Sequence, residues 1–188
     1  MSVVTETFDA ILFDMDGTLV DSTEGVIGAW NAFKITYPHL VVEAARFEQE
    51  IVNSSRKDGK EGIVALPGVR GITESLLSSE DSRNRWALCT SATRVYATAA
   101  LQIAGIPTPN NFIAAEDVHN GKPAPDPYVE GAKLCGVDPK RCLVVEDAPA
   151  GIYSGQAAGC KTLAVITSHT REVMIQAKPD YLVRNLSR

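Results

Sequence analysis

The chain is predicted to be an α/β protein built on a parallel sheet, and three observations carry that expectation. Short apolar runs alternate with segments of helical composition, the pattern of βαβ units. Several of these runs end abruptly in acidic or hydroxyl residues, and in parallel sheets the loops beyond the carboxyl ends of strands are where ligands bind. At 188 residues, 45% of them hydrophobic and 22% charged, the chain can bury a sizeable core.

The elements follow in order. Ala10 to Phe13 is the first strand, a fully apolar run that stops at Asp14. Pro67-Gly68 precedes an amphipathic helix over Gly71 to Leu77, and Trp86 to Cys89 is the next strand, ending at Thr90-Ser91. Tyr96 to Ala104 has helical composition and closes at Gly105, with Pro107 and Pro109 beyond it. Phe112 to Ala115 is a third strand and Asp126 to Cys135 a helix closed by Gly136. Cys142 to Val145 is a fourth strand that runs straight into Glu146-Asp147. Gly151 to Ala158 is a helix of small residues, Lys161 to Ile166 a fifth strand, and Tyr181 to Val183 a short edge strand.

Composition excludes several classes. A net charge of −5 without any basic run argues against a nucleic-acid partner. The apolar stretches fall far short of the roughly 20 residues a spanning helix needs, and the amino terminus lacks a charged-then-apolar leader pattern, so a cytoplasmic protein is expected. No interface pattern stands out, and a monomer is expected. Cys89, Cys135, Cys142 and Cys160 include no C-x-x-C pair and read as buried thiols. His39, His119 and His169 lack metal-ligand spacing and read as surface or loop residues. Trp30, Phe33 and Tyr37 form a helical apolar stripe that reads as packing. Gly151, Gly155 and Gly159 recur every four residues, but no Gly-x-x-x-x-Gly-Lys follows, so close helix packing is the better reading than a phosphate loop.

The chemistry lies at the strand ends. Asp14 and Asp16 place two carboxylates two residues apart, a repulsion that a hard divalent cation with oxygen ligands would relieve; magnesium is the expected cofactor. Thr90 follows the second strand, Glu146 and Asp147 follow the fourth, and Lys122 lies in a loop after the third. Brought to one edge of the sheet, these residues offer a nucleophilic acid, a metal site, a hydroxyl donor and a cation, the set that phosphoryl transfer requires. An isolated Asp-x-Asp is more often a turn or a helix cap. The order of the fragments is what raises it above that reading.

The segments Asp14-Met15-Asp16-Gly17-Thr18-Leu19-Val20-Asp21-Ser22, Thr90-Ser91, Gly121-Lys122-Pro123 and Glu146-Asp147-Ala148-Pro149-Ala150-Gly151 resemble, in order, the four motifs of the haloacid dehalogenase superfamily. Within it the chain looks most like the small sugar-phosphate and glycerol-phosphate phosphatases, including the 2-deoxyglucose-6-phosphate phosphatases. The resemblance implies a Rossmann-like core with a helical cap inserted after the first motif. It implies Asp14 as nucleophile, forming an aspartyl-phosphate that is then hydrolysed. Magnesium would be held by Asp14, the Asp16 backbone carbonyl and Asp147, with Glu146 supporting the metal through its waters. By the same resemblance Asp16 protonates the leaving alkoxide and then accepts a proton from water, a residue type that separates phosphatases from dehalogenases. Thr90 would bind a phosphate oxygen, helped by the Ser91 N–H at a helix start, while Lys122 clamps the phosphate and Gly17 turns the chain away from it. Asp21 and Ser22 are expected to shape the turn and cap the next segment rather than take part in chemistry.

The insertion departs from the family. Residues 1–22 and 67–188 make up the expected catalytic core, and 23–66 leave room for only two cap helices, Thr23 to Phe33 and Glu43 to Asn53, where the resembling phosphatases carry four. A reduced cap leaves the site more open and less selective. The expected activity is magnesium-dependent hydrolysis of a small phosphorylated metabolite, a sugar or polyol phosphate. The alternatives are a phosphomutase of the same superfamily, or a catalytically weakened phosphate-binding or regulatory protein.

Overall fold

The computed structural model describes residues 5–36, 44–57 and 62–187, without the side chains of 30–36, 44–45 and 56–57. Six parallel strands form the main sheet: β1 (Ala10–Phe13), β4 (Trp86–Cys89), β5 (Asn111–Ile113), β6 (Cys142–Glu146), β7 (Lys161–Val165) and β8 (Tyr181–Val183). Their spatial order is β5-β4-β1-β6-β7-β8, so the chain runs outward from β1 in one direction and then returns to build on its other side. The switch in direction lies at β1, the position where doubly wound sheets open a crevice for ligands. Register carries Phe13 beside both Leu88 and Val145, which brings the three strand ends level.

These strands read as continuous apolar runs because helices cover both faces. Leu12, Leu88 and Val144 are completely buried, and Phe13 meets Trp86 edge to face with ring centroids 6.1 Å apart. Each such side chain contributes about 1.5–3 kcal/mol relative to exposure. The covering helices are α3 (Val69–Leu77), α5 (Arg94–Ala104), α6 (Asp126–Leu134), α7 (Pro149–Ala158) and α8 (Arg171–Gln176), with a single turn, α4 (Glu80–Arg83), after α3. All four cysteines are free and buried, as expected.

Between Val20 and Ala65 the chain leaves the sheet. A two-stranded antiparallel ribbon, β2 (Val20–Asp21) with β3 (Val64–Ala65), marks its departure and return. Beyond that ribbon α1 (Thr23–Thr36) and α2 (Ala44–Lys57) pack side by side. Glycine lets them approach closely: a Cβ on Gly25 would fall 2.8 Å from Ile51 Cγ2.

Most boundaries agree with the sequence reading, and the differences are local. The strand expected over Phe112 to Ala115 is Asn111–Ile113, because Asp117 Oδ2 accepts from the Ala114 N–H at 2.7 Å and turns Ala115–Asp117 into a 3-10 helix. The second insertion helix runs four residues beyond Asn53. Trp30, Phe33, Tyr37 and His39 lie outside the described side chains.

Candidate active site

Asp14 follows β1, Thr90 follows β4, and Glu146 ends β6 with Asp147 next, so the register of three adjacent strands gathers them at one sheet edge. Lys122 reaches the same point from the loop before α6. Its Nζ lies 2.6 Å from Asp14 Oδ1 and 2.7 Å from Glu146 Oε1, with its side chain 7% exposed. The Tyr128 hydroxyl donates to the same Glu146 oxygen at 2.7 Å, and the Asp147 and Ala148 N–H groups donate to Glu146 Oε2 at 3.1 and 3.2 Å. Thr18 Oγ1 donates to Asp147 Oδ1 at 3.4 Å.

Burial tunes these charges. It pushes Asp14 up to about 6, and the neighbouring Glu146 charge adds to the rise against the pull of Lys122. Burial also pushes Asp147 up to about 6, with the charge of Asp14 in the same direction. For Lys122 burial acts downward, but the Asp14 and Glu146 charges outweigh it and hold the ammonium above the ordinary lysine value.

A divalent cation fits this place. Ligand oxygens of Asp14, Glu146 and Asp147 lie within 4.8 Å of one another, the all-oxygen set that hard cations take. Asp14 Oδ2 is buried and has no hydrogen-bond partner, the orphaned acceptor a metal would satisfy. Glu146 differs from the other two, because its four donors already occupy both oxygens. Gly17, at φ +83°, crosses directly over Asp147: a Cβ there would fall 2.1 Å from Asp147 Oδ2, so only glycine admits the turn and the carboxylate together.

Asp16 stands apart from this cluster. Its Oδ1 accepts from Ser22 Oγ and from the Tyr96 hydroxyl, both at 2.8 Å, and burial lifts the carboxyl to about 6 against those two bonds. Ser22, expected to shape the turn and cap the next segment, also points its hydroxyl at Asp16. Asp21 does serve the turn, accepting from the Thr23 N–H at 3.0 Å. Thr90 is buried at the strand end, where Oγ1 accepts from the Ala92 N–H at 3.1 Å. Ser91 is exposed beside it, but not at a helix start. The helix begins at Arg94, capped by Thr93, and the N–H groups of its first turn face carboxylates: Thr93 donates to Glu48 and Arg94 to Glu116, at 3.1 and 3.0 Å.

Tyr128, Tyr96 and His169 were not singled out as site residues from the sequence. His169 is an exposed loop residue, as expected of it, but its Nδ1 lies 3.1 Å from the Asp147 carbonyl oxygen. The tyrosines sit on helices, where an aromatic residue reads as core; the one available signal is that a buried tyrosine hydroxyl needs a partner. The glycine spacing in α7 is packing, as read: a Cβ on Gly155 would lie 3.0 Å from Val144 Cγ1, and one on Gly151 would fall 1.7 Å from Glu146 Oε1.

Known proteins resemble this chain in sequence and in fold. The family described as haloacid dehalogenase-like hydrolase matches residues 60–159. Hexitol phosphatase A of Escherichia coli is 39% identical over 82% of this chain and 81% of its own length. Glycerol-1-phosphate phosphohydrolase 2 of Saccharomyces cerevisiae is 31% identical over 94% of this chain and 82% of its own. The crystal structure of a putative beta-phosphoglucomutase from Thermotoga maritima superposes with a TM-score of 0.76 at 22% identity, covering 95% of each chain, and so shares the fold. With its four motif segments gathered at one sheet edge, the chain belongs to the haloacid dehalogenase-like hydrolases.

Proposed function

We propose that the chain is a magnesium-dependent phosphatase that hydrolyses a small sugar or polyol phosphate through an aspartyl-phosphate at Asp14. The observation that carries this reading is Lys122, buried between Asp14 and Glu146 with Asp147 alongside: a cation and an unsatisfied carboxylate oxygen meet at the switch point of the sheet. The phosphatases among its relatives, which act on hexitol and glycerol phosphates by their names, support the substrate class.

Asp14, Asp147 and the Asp16 backbone carbonyl would hold Mg²⁺. When bound, the ion supplies positive charge that offsets the repulsion between an anionic nucleophile and an anionic ester. The protein's own residues do the rest. The Asp14 carboxylate attacks phosphorus, forming an acyl-phosphate bond as the ester P–O bond breaks. Lys122 offsets charge on the transferring oxygens, and Glu146, saturated by its four donors, holds that ammonium in place. Thr90 and the exposed Ser91 lie where phosphate oxygens would be bound. Asp16 gives its proton to the leaving alkoxide; the resulting carboxylate then takes a proton from the water that attacks phosphorus, breaking the acyl-phosphate bond, so that phosphate leaves, Asp14 returns to a carboxylate and Asp16 to an acid.

The insertion between Ser22 and Pro67 we read as a shortened cap. Between the two strands of the β2–β3 ribbon the described chain has room for only α1 and α2. That supports a site with fewer substrate contacts. Phosphate release from glycerol 1-phosphate, sorbitol 6-phosphate, 2-deoxyglucose 6-phosphate and p-nitrophenyl phosphate, with and without Mg²⁺, tests the reading. Release is expected to require Mg²⁺ and to fall by at least about a thousandfold in Asp14→Asn, because an amide oxygen cannot replace the nucleophile. Turnover retained by the variant would defeat the assignment.

A further inference from the structure

Asp16 must deliver a proton in one direction and accept one in the other, so which of its two oxygens carries the proton matters. The Tyr96 hydroxyl and Ser22 Oγ both donate to Oδ1, each at 2.8 Å. An oxygen that accepts two O–H donors leaves no room for a proton of its own, and the proton of the neutral acid therefore sits on Oδ2. Tyr96 is only 4% exposed, so this bond is shielded from water.

The backbone that carries Tyr96 is itself anchored. Tyr96 lies in the first turn of α5, and its N–H donates to the capping hydroxyl of Thr93 at 3.3 Å. Thr93 in turn donates from its N–H to Glu48 Oε1 at 3.1 Å and from its hydroxyl to Glu48 Oε2. Glu48 belongs to α2 of the insertion, so one helical turn joins the inserted helices to the carboxyl group of Asp16. A cavity of about 520 Å³ opens beside Tyr96, between α2 and α5, with Glu48, Val52, Thr93 and Ala99 also in its wall.

We propose that Tyr96 is the positioning residue for Asp16: with Ser22 it occupies Oδ1 and so presents the proton-bearing Oδ2 to the leaving oxygen. This rests on the phosphatase reading. The leaving group separates such a role from a structural one. A sugar or glycerol alkoxide leaves only with a proton, whereas p-nitrophenoxide leaves without one.

Tyr96→Phe removes the hydroxyl and keeps the ring. Its kcat/KM on glycerol 1-phosphate or sorbitol 6-phosphate, which reports the step that expels the alkoxide rather than the shared hydrolysis of the aspartyl-phosphate, is expected to fall about tenfold or more beyond its fall on p-nitrophenyl phosphate. In an Asp16→Asn background the same change is expected to add nothing on the alkyl esters, because a residue acting through Asp16 has no target once the acid is gone. Ser22→Ala, which removes the second donor without touching the aromatic packing, is expected to show the same leaving-group bias. Equal losses on alkyl and aryl esters, or a full further loss in the Asp16→Asn background, would overturn the proposal while leaving the phosphatase reading in place. Wild-type protein that releases phosphate from none of these esters would overturn both.

Discussion

Glu146 takes four hydrogen-bond donors on two oxygens, Lys122 and Tyr128 on one and two backbone N–H groups on the other. Only an ionised carboxylate accepts on both sides. In Glu146→Gln one side becomes an NH₂ group that faces two donors, either the ammonium and phenol or the backbone pair, whichever way the amide turns. Breaking a buried ion pair from one side costs about 3–5 kcal/mol, and at this chain length each kcal/mol shifts Tm by about 2–4 °C. A fall in Tm of roughly 10 °C is expected by calorimetry, with loss of activity as Lys122 is released. Glu130→Gln is the matched control. That residue pairs with Lys133 at 2.9 Å on an exposed helix face, where such a pair contributes at most about 1 kcal/mol, and its Tm is expected to stay within a few degrees. A Glu146→Gln protein that melts with the wild type would show that the carboxylate is not what holds Lys122.

At the scale of elements, α7 owes its position to a missing methyl group. Gly151 sits in its first turn with Glu146 against it, 1.7 Å from where a Cβ would be, whereas Gly71 in α3 has nothing within 4 Å of that point. Glycine in a helix costs about 0.5–1 kcal/mol relative to alanine, so Gly71→Ala is expected to raise Tm slightly. Gly151→Ala should do the reverse, lowering Tm by several degrees and reducing activity with it, because either the helix or Glu146 must move. Thermal melts of the two variants side by side check the opposed signs. The four-residue glycine spacing was legible in the sequence as packing; that the packing partner is the site's own carboxylate was not, since the contact joins a strand end to a helix start only after the sheet is assembled. The same division runs through the fold. Strands such as Ala10–Phe13 and Trp86–Cys89 were legible to the residue because both faces are buried and the apolar run stops where the sheet edge does. Asp14, Lys122 and Asp147 were legible from their order along the chain. Tyr96 and Tyr128 were not, because their hydroxyls act at the far end of a ring that otherwise reads as core.

For the molecule as a whole, the carboxylates at the sheet edge tie stability to pH and, in the proposed site, would tie it to metal. Asp14 and Asp147 stand near 6 in the folded chain, both raised first by burial, Asp14 then by the Glu146 charge and Asp147 by the Asp14 charge, against an ordinary carboxylate value near 4. A raised folded value means the native state binds the proton more tightly than the unfolded chain does. Their contribution to stability is therefore present below about 4 and is lost as pH rises through about 6. Above that point the metal-free protein holds two buried anions that Lys122 only partly offsets. In the proposed site Mg²⁺ would bind the deprotonated pair, so protons would compete with it below about 6 and cease to compete above. Binding to the native state alone adds RT ln(1 + [Mg²⁺]/Kd) to stability and raises Tm accordingly. The increase in Tm on adding millimolar Mg²⁺ is accordingly expected to be small at pH 5 and several-fold larger at pH 7.5, measured by scanning fluorimetry. In Asp147→Asn, where one carboxylate of the pair is gone, most of the increase should vanish at both pH values. An increment in the wild type that does not change between pH 5 and 7.5 would mean that the ion binds somewhere other than Asp14 and Asp147.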